Sequence, residues 1–539
     1  MASRRDELNA YTTAKRRVVA ALLYPTGTDG GHPGADDGAP RPWRAVVPGL
    51  VAAALLLAGH GAWGMLRPQA PRGWDEPGAR VIVGATSTTR YVVLETGGRP
   101  HLHPVLNLAS ARLLLDPRDS DRIIRVSDTV LDAGSPPRGP VIGIPYAPDR
   151  LPTDKDAATP KRWAACQQPT GADPAGPDPT APDPTAPDST APAPSGPDPA
   201  AARPAAGPTP RTATFVLAAR EAARTDGPHR LTGGQVLFVA GPDRTAYLVD
   251  ADGTKYRIAG AGRDHRTLLH TLVGAEQQPQ PVTAAWLATL PDGAPLSFPA
   301  LPGPVGAPAR VPGLAPADDR IGTVLRTTTG SGPQHHVVLP GTVRRISEFT
   351  AWLIVHAPAT GRLGMKGRAR DTDLQSLPPQ TTAFDEGLRW PRRRPVQVNT
   401  TSGSGTSGGA RTTLCSVLHH TSSRGRTTLG TWAGPRLPVD TTASAAGTYV
   451  TPGSGLLYTQ TRGTDPHGPL FLLTDTGLRH PVRTGTPPQG PDGGPTAGEA
   501  QIRLGYRNVT PVPVPAAWSE LVAKGPRLDP AAARRPHTS

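Results

Sequence analysis

An uncharged run from Ala45 to Leu66, AVVPGLVAAALLLAGHGAWGML, constrains this chain more than any other stretch of its 539 residues. As an α-helix of 22 residues it would reach roughly 33 Å, against a bilayer core of about 30 Å. Some 44 residues precede it and more than 470 follow, so the reading is a single anchor (45–66) between a cytoplasmic tail (1–44) and a large ectodomain. The leading segment is too long for a cleavable leader, and no clean A-x-A site follows. A buried core helix is the alternative. Pro48, Gly49, Gly59, Gly61 and Gly64 suit a membrane helix better than a soluble one.

The tail carries Arg4, Arg5, Lys15, Arg16, Arg17, Arg41 and Arg44, which favours its retention inside. Next to the membrane the bias fails, because Arg67, Arg72 and Arg80 face Arg41 and Arg44. The cysteines add a second clue. The chain has two, Cys166 and Cys415, both beyond the anchor, as one oxidised pair in an exported domain would be. Two free buried thiols are the alternative. A bridge would close a loop of about 250 residues, worth at most roughly 5 kcal/mol in the chain-entropy account.

Pro 67 and Gly 61 together approach a quarter of the chain, and proline is densest from Pro169 to Arg211, a near-repeat of T-A-P-D-P. Such a composition buries too little apolar surface to offset ordering, so 169–211 is expected to be a disordered insertion. The formal net charge is +14. A basic exported surface would attract anionic wall polymers or lipid headgroups; a composition rich in arginine, alanine, glycine and proline for genomic reasons explains the excess equally well. Nucleic acid is not expected as a partner, because the bases are read as scattered and without interleaved aromatics.

Four stretches beyond the anchor repeat one pattern. The copy from Val236 to Gly260, VLFVAGPDRTAYLVDADGTKYRIAG, reads as three strands, with D-A-D-G turning the last two. Related runs begin at Val81, Ile321 and Gly455, with E-T-G-G, P-G-T and T-D-T-G as their turns. Two copies end alike: Pro281-Val282 leads to Ala284-Ala285-Trp286, and Pro513-Val514 leads to Ala516-Ala517-Trp518. A proline before an Ala-Ala-Trp face predicts a short helix packed on its hairpin by Trp286 or Trp518. The separators around the copies each hold one cysteine. They predict a central module in two parts, 127–168 and 370–434, pinned by Cys166–Cys415. The repeats then fall at 80–126, 212–300, 318–369 and 445–524, with a disordered basic tail over 525–539. The fold class is α+β and strand-rich.

No phosphate loop, G-x-S-x-G or H-E-x-x-H occurs, so no catalytic residue, metal or cofactor is expected. His101 and His103 form an H-x-H without an acidic or cysteine partner at useful spacing, and read as cross-strand surface residues, as do His335–His336 and His419–His420. The tail is more informative. After Ser3-Arg4-Arg5-Asp6, which resembles a capping box, Leu8, Tyr11, Val18, Val19, Leu22 and Leu23 fall largely along one helical stripe before Pro25. This is a basic amphipathic helix expected to dock on the inner leaflet or on a neighbouring subunit.

The opening SRRDELNAYTTAKRRVVAALLYP, the PRPWRAVVPGL entry to the anchor, GWDEPGARVIVG, YVVLETGGRPHLHPVLNLASARLLL, GIPYAPDRLP and KRWAAC resemble EccB. EccB is the single-pass core component of type VII (ESX) secretion. The resemblance implies a complex with EccC, EccD and EccE, homo-oligomerisation through the ectodomain, and four repeats around a disulfide-linked centre. It also implies a likeness to wall-binding modules, with no binding residue to carry over. ATP hydrolysis has been associated with some members; without a phosphate loop the energy is assigned to EccC. The expectation is a non-enzymatic scaffold in the cell membrane, and the rival is an anchored wall-binding protein acting alone.

Overall fold

The computed structural model describes residues 4–23, 43–66, 70–116, 123–169, 210–330, 332–373, 382–399, 410–439, 447–463, 465, 468–483 and 498–537. The expected Pro-rich insertion therefore lies almost wholly outside the described residues. The chain divides into two compact units, Met1–Gln69 and Ala70–Ser539.

The first unit holds two helices, α1 (Arg4–Leu23) and α2 (Trp43–Leu66). In α1 the Thr12 and Thr13 hydroxyls donate back to the carbonyls of Leu8 and Asn9 at 2.8 and 2.7 Å. Leu8, Tyr11, Val18 and Val19 are exposed; the side chains of Leu22 and Leu23 lie outside the described residues. In α2 the side chains are described over 46–58, where Val46, Val47, Leu50, Val51, Leu55, Leu56 and Leu57 are all exposed. Among the described residues no helix is long and apolar enough to cross a membrane.

In the second unit the strands come in chain order. β1 (Val81–Gly84), β2 (Arg90–Thr96), β3 (Arg99–Val105) and β4 (Ile123–Val126) form a first sheet, with α3 (Leu108–Leu114) before β4 and α4 (Asp128–Leu131) after it. α5 (Asp154–Ala158) leads into β5 (Arg162–Gln168) and β6 (Arg211–Leu217). A second sheet holds β7 (Gln235–Ala240), β8 (Ala246–Val249), β9 (Lys255–Arg257) and, beyond α6 (Gly262–Val273), β10 (Gln280–Pro281), followed by α7 (Ala284–Ala288). A third holds β11 (Val324–Thr329), β12 (Gly332–Leu339), β13 (Thr342–Ile346) and, past α8 (Glu348–His356), β14 (Arg370–Asp371). β15 (Val396–Gln397) returns to pair with β7. Next come β16 (Thr413–Thr421), β17 (Thr427–Gly434) and β18 (Thr448–Val450). The fourth sheet holds β19 (Leu456–Thr461), β20 (Leu470–Leu473), β21 (Leu478–Pro481), β22 (Val512–Pro515) and β23 (Ala523–Lys524), with α9 (Glu499–Arg503), α10 (Ala516–Ser519) and a final α11 (Pro530–Ala533).

The four small sheets share one plan. Three strands meander antiparallel, the chain passes through a helix, and a short strand returns parallel to the first: β4 on β1, β10 on β7, β14 on β11 and β22 on β19. The fifth sheet is different. It runs β17-β16-β5-β6-β18 and draws strands from 162 to 450. Its fourth strand, Arg211–Leu217, falls but for Arg211 within the range expected for the second repeat, and its edge strand Thr448–Val450 falls in that expected for the fourth.

Strand alternation gives this central sheet two apolar faces. One carries Trp163, Ala165, Val216, Leu414 and Leu418, and shares a core with Leu237, Val239 and Trp286 of the second sheet and Tyr458, Phe471 and Trp518 of the fourth. The other carries Ala164, Cys166, Phe215, Cys415, Val417 and Trp432. The outer sheets then join in pairs. Leu457, Leu472 and Leu504 of the fourth meet Val92, Leu113 and Leu115 of the first. Phe349 and Leu353 of α8 enter the core of the second sheet, whereas Ala351 and Ile354 of the same helix enter that of the third.

Two expectations are corrected here. The run 525–539 is not a disordered tail over its described part: Leu528 and Ala533 are fully buried, Asp529 caps α11 by accepting from the Ala531 N–H at 2.9 Å, and the His537 N–H donates to the Val141 carbonyl. A few apolar residues suffice because Leu528, Ala532 and Ala533 join the core that holds α3. His103 and His336 are not surface residues either. Both are buried, with His103 Nδ1 3.0 Å from the Pro140 carbonyl and His336 Nε2 3.0 Å from the Thr327 hydroxyl. A folded-over segment covers the first, and the second takes its partner from the neighbouring strand β11.

Candidate functional site

The centre of the second unit is the place where distant parts of the chain are fastened together. β5 and β16 pair antiparallel with Cys166 opposite Cys415, and the two sulfurs are bonded at 2.05 Å. Trp432 of β17 lies across from Cys415 on its other side. Among the described residues no cysteine is free.

Each flanking sheet drives one tryptophan into the other face of this centre. Trp286 is 1% exposed and its indole N–H donates to the Ala165 carbonyl at 3.0 Å; Trp518 is equally buried in the same core. The tryptophans thus key their helices to the central sheet, rather than only to their own hairpins. α7 begins at Thr283, whose hydroxyl accepts from the Trp286 N–H at 3.2 Å, a side-chain cap that orients the first turn. The Gln167 amide donates to that hydroxyl, and its carbonyl oxygen accepts from the Thr283 N–H at 3.0 Å. α10 follows Pro515 with no side-chain cap. Its hydrogen bonds run to its own sheet, where the Ser519 hydroxyl accepts from Arg479 at 3.1 Å and donates to the Gln460 carbonyl oxygen at 3.2 Å; toward the centre, Trp163 meets Tyr458 edge-on at 6.0 Å, and Tyr458 stacks on Phe471.

Polar ties complete the centre. Lys161, 6% exposed, donates to the Asp156 carbonyl and carboxylate at 2.8 and 2.9 Å, and the other oxygen of Asp156 accepts from the Gly455 N–H at 2.7 Å. Asn399 brackets Phe238, accepting from its N–H and donating to its carbonyl. The D-A-D-G turn reaches β17, since a Cβ on Gly253 (φ +78°) would lie 2.8 Å from that of Leu429. Burial pushes Asp250 above the usual carboxylate range, opposed by hydrogen bonds from the Thr254 N–H and the Tyr256 hydroxyl. Burial likewise raises the Tyr458 hydroxyl to about 12, and it lies 2.7 Å from the Ser519 hydroxyl. Burial lowers His419, with the Arg162 and Arg230 charges adding to the effect. The chemistry of this cluster is that of holding strands in register.

The stripe on α1 belongs to the first unit. Among the described residues no group of three or more His, Cys, Asp or Glu is placed to hold a metal. One feature escaped the sequence reading: Arg389-Trp390-Pro391-Arg392-Arg393-Arg394 interleaves an aromatic with four bases, a pattern that a summed charge hides.

The family profile described as "Type VII secretion system ESX-1, transport TM domain B" matches residues 1–539. A relative from Mycolicibacterium smegmatis (strain MKD8), ESX-1 secretion system ATPase EccB1, is 31% identical over 309 residues, covering 57% of this chain and 53% of that protein. The match thus spans about half of that relative's length. ESX-3 secretion system ATPase EccB3 of Mycobacterium tuberculosis is 28% identical over 523 residues, 92% of this chain and 83% of that protein. Among solved structures, a chain of the intact ESX-5 inner membrane complex superposes with a TM-score of 0.57 at 21% identity, covering 100% of this chain and 96% of its own. The EccB3 dimer from the ESX-3 core complex gives 0.55 at 21% identity, covering 84% and 99%. At these identities the likeness is one of fold.

Proposed function

Because the chain belongs to the EccB family of type VII secretion, we propose that it is a structural, non-enzymatic subunit of an ESX-type inner membrane complex. The observation that carries this reading is the family match along the whole of residues 1–539. A disulfide-tied centre with small sheets keyed to it suits a part that shapes an assembly. The row of exposed apolar side chains on α2 supports a single membrane anchor over 45–66, with the tail inside and the larger unit outside. The exposed Leu8, Tyr11, Val18 and Val19 on α1 support docking on a partner.

The proposed partners are EccC, EccD and EccE, together with further copies of this chain. The relatives are named ATPases; here ATP hydrolysis is assigned to EccC, and the purified chain should not hydrolyse ATP above background. Extraction in mild detergent should bring the partners down with this chain. Recovery of the chain alone, bound to peptidoglycan, would reject the scaffold role in favour of wall binding. Val18→Asp with Leu22→Asp should leave folding and the disulfide intact yet abolish copurification with EccC and EccD. Val18→Ser with Leu22→Ser controls for charge-driven topology, and normal recovery of the complex in both variants would eliminate docking by this stripe.

A further inference from the structure

Residues 389–394 cross the junction of the second and third sheets as an exposed strap. Trp390 anchors it: the indole N–H donates to the Pro295 carbonyl at 3.1 Å, and the ring meets Phe349 edge-on. The Arg392 carbonyl accepts from the Phe349 N–H, and the Arg394 guanidinium lies over the Trp352 ring at 3.6 Å. The strap runs close to the start of β7, where only glycine fits: a Cβ on Gly234 would lie 2.2 Å from the Arg394 carbonyl oxygen. Arg389 sits at φ +49°, a left-handed conformation uncommon for a bulky residue.

Arg389, Arg392 and Arg393 are exposed, and among the described residues none of them has a carboxylate within ion-pair distance. Hollows flank the strap on both sides. One of about 1150 Å³ is lined by Arg345, Glu348, Glu386, Arg389, Trp390 and Arg392. The other, of about 630 Å³, is lined by Asp252, Thr254, Tyr256, Trp390, Arg392 and Arg393. Guanidinium forks favour carboxylate or phosphate oxygens. The acids in both hollows would repel a polymer with a phosphate at every unit. They tolerate a peptide whose carboxylates are spaced apart.

The chain carries such a peptide. Between 170 and 209 it has Asp173, Asp178, Asp183, Asp188 and Asp198 against a single base, Arg203. That segment leaves β5 next to Gln167, which is bonded to Thr283; Gln280 is bonded to Asn399, and Asn399 follows Arg394 by five residues. Even with every link fully extended, this route spans about 50 Å. In a polyproline II conformation at about 3.1 Å per residue, the middle of the segment reaches about 60 Å. We propose that the arginine strap Arg389–Arg394 is a docking site for the acidic Asp-Pro segment of its own chain.

A fluorescent synthetic peptide spanning residues 171–199 tests this against the full chain in detergent, the chain lacking 170–209, and the latter carrying Arg389→Gln, Arg392→Gln and Arg393→Gln. The shortened chain should bind the peptide, and added salt should weaken the binding. The full chain should bind it roughly a hundredfold more weakly, because the tethered copy competes at high effective concentration. The strap variant should lose roughly tenfold or more, as should a peptide with Asn for Asp. If the triple variant melts early, the single change Arg393→Gln at an exposed site serves instead. No binding to the shortened chain, or equal binding to the strap variant, overturns the proposal. Binding of long-chain polyphosphate without binding of the peptide overturns it in favour of a phosphate polymer.

Discussion

The second and fourth sheets reach the same central core through matching helices, yet they are held there in different ways. At α7 the attachment is polar and directional: Thr283 caps the helix, Gln167 grips Thr283 from the central sheet, and Trp286 donates to Ala165. At α10 no side chain caps the helix, its Ser519 bonds to Tyr458 and Arg479 of its own sheet, and contact with the centre is apolar, with Trp163, Tyr458, Phe471 and Trp518 in one core. One plan therefore tolerates two solutions. What is shared is a buried indole at the interface, and what varies is whether the helix hydrogen-bonds to the central sheet, as α7 does, or to its own sheet, as α10 does.

The largest expected effect comes from removing the indoles. Trp286→Ala and Trp518→Ala should each cost about 3–5 kcal/mol, read by denaturant unfolding. Hydrogen exchange should separate them: Trp286→Ala loosens the second and third sheets, and Trp518→Ala the fourth and first. Identical exchange maps would break the comparison by showing that the centre unfolds as one. Next comes the bridge. Cys166→Ala with Cys415→Ala should cost about 2–5 kcal/mol and loosen both attachments alike, since both bear on β5 or its neighbours; loosening confined to one side would give that side sole use of the bridge.

Smaller changes sharpen the polar and aromatic contrast. Thr283→Ala should cost about 1–2 kcal/mol through the lost cap and the lost bond from the Gln167 amide, whereas Tyr458→Phe, which keeps the ring, should cost about 1 kcal/mol or less. The reverse order in thermal melts would invert the assignment. The smallest effect is one of pH. Burial lowers His480 below its ordinary value, opposed by a bond to the Pro526 carbonyl. The folded chain thus holds this imidazole neutral at a pH where the unfolded chain protonates it. Its contribution is fully present above the unfolded value near 6.5 and declines as pH falls from there toward the lower folded value. His480→Gln should flatten that part of the stability–pH curve, and an unchanged slope would remove His480 as its source.

Local chemistry was the legible part. Strand-rich character, the cysteine pair and turns such as Asp250–Gly253 follow from residues adjacent in sequence or unique in kind. The partners of Trp286 and Trp518 were not legible, because Ala165 lies 121 residues from Trp286 and nothing local encodes the meeting. The returning strands were equally hidden: β10 and β14 are two residues long, too short for any period to show. His103 read as a surface residue because its cover, the Pro140 segment, comes 37 residues later. The arginine strap was missed for another reason, since a summed charge weighs isolated and clustered bases alike.

A helix such as α8, which sends Phe349 and Leu353 into one core and Ala351 and Ile354 into another, leaves no slack between the bodies it joins. Sliding either sheet past the other would strip apolar side chains from both interiors at once, so the junction has no soft direction. A pull or push delivered to the third sheet must therefore be carried undiminished into the second, and from there through Trp286 into the bridged centre. Mechanically, the second and third sheets act as a single stiff arm seated on the central strands.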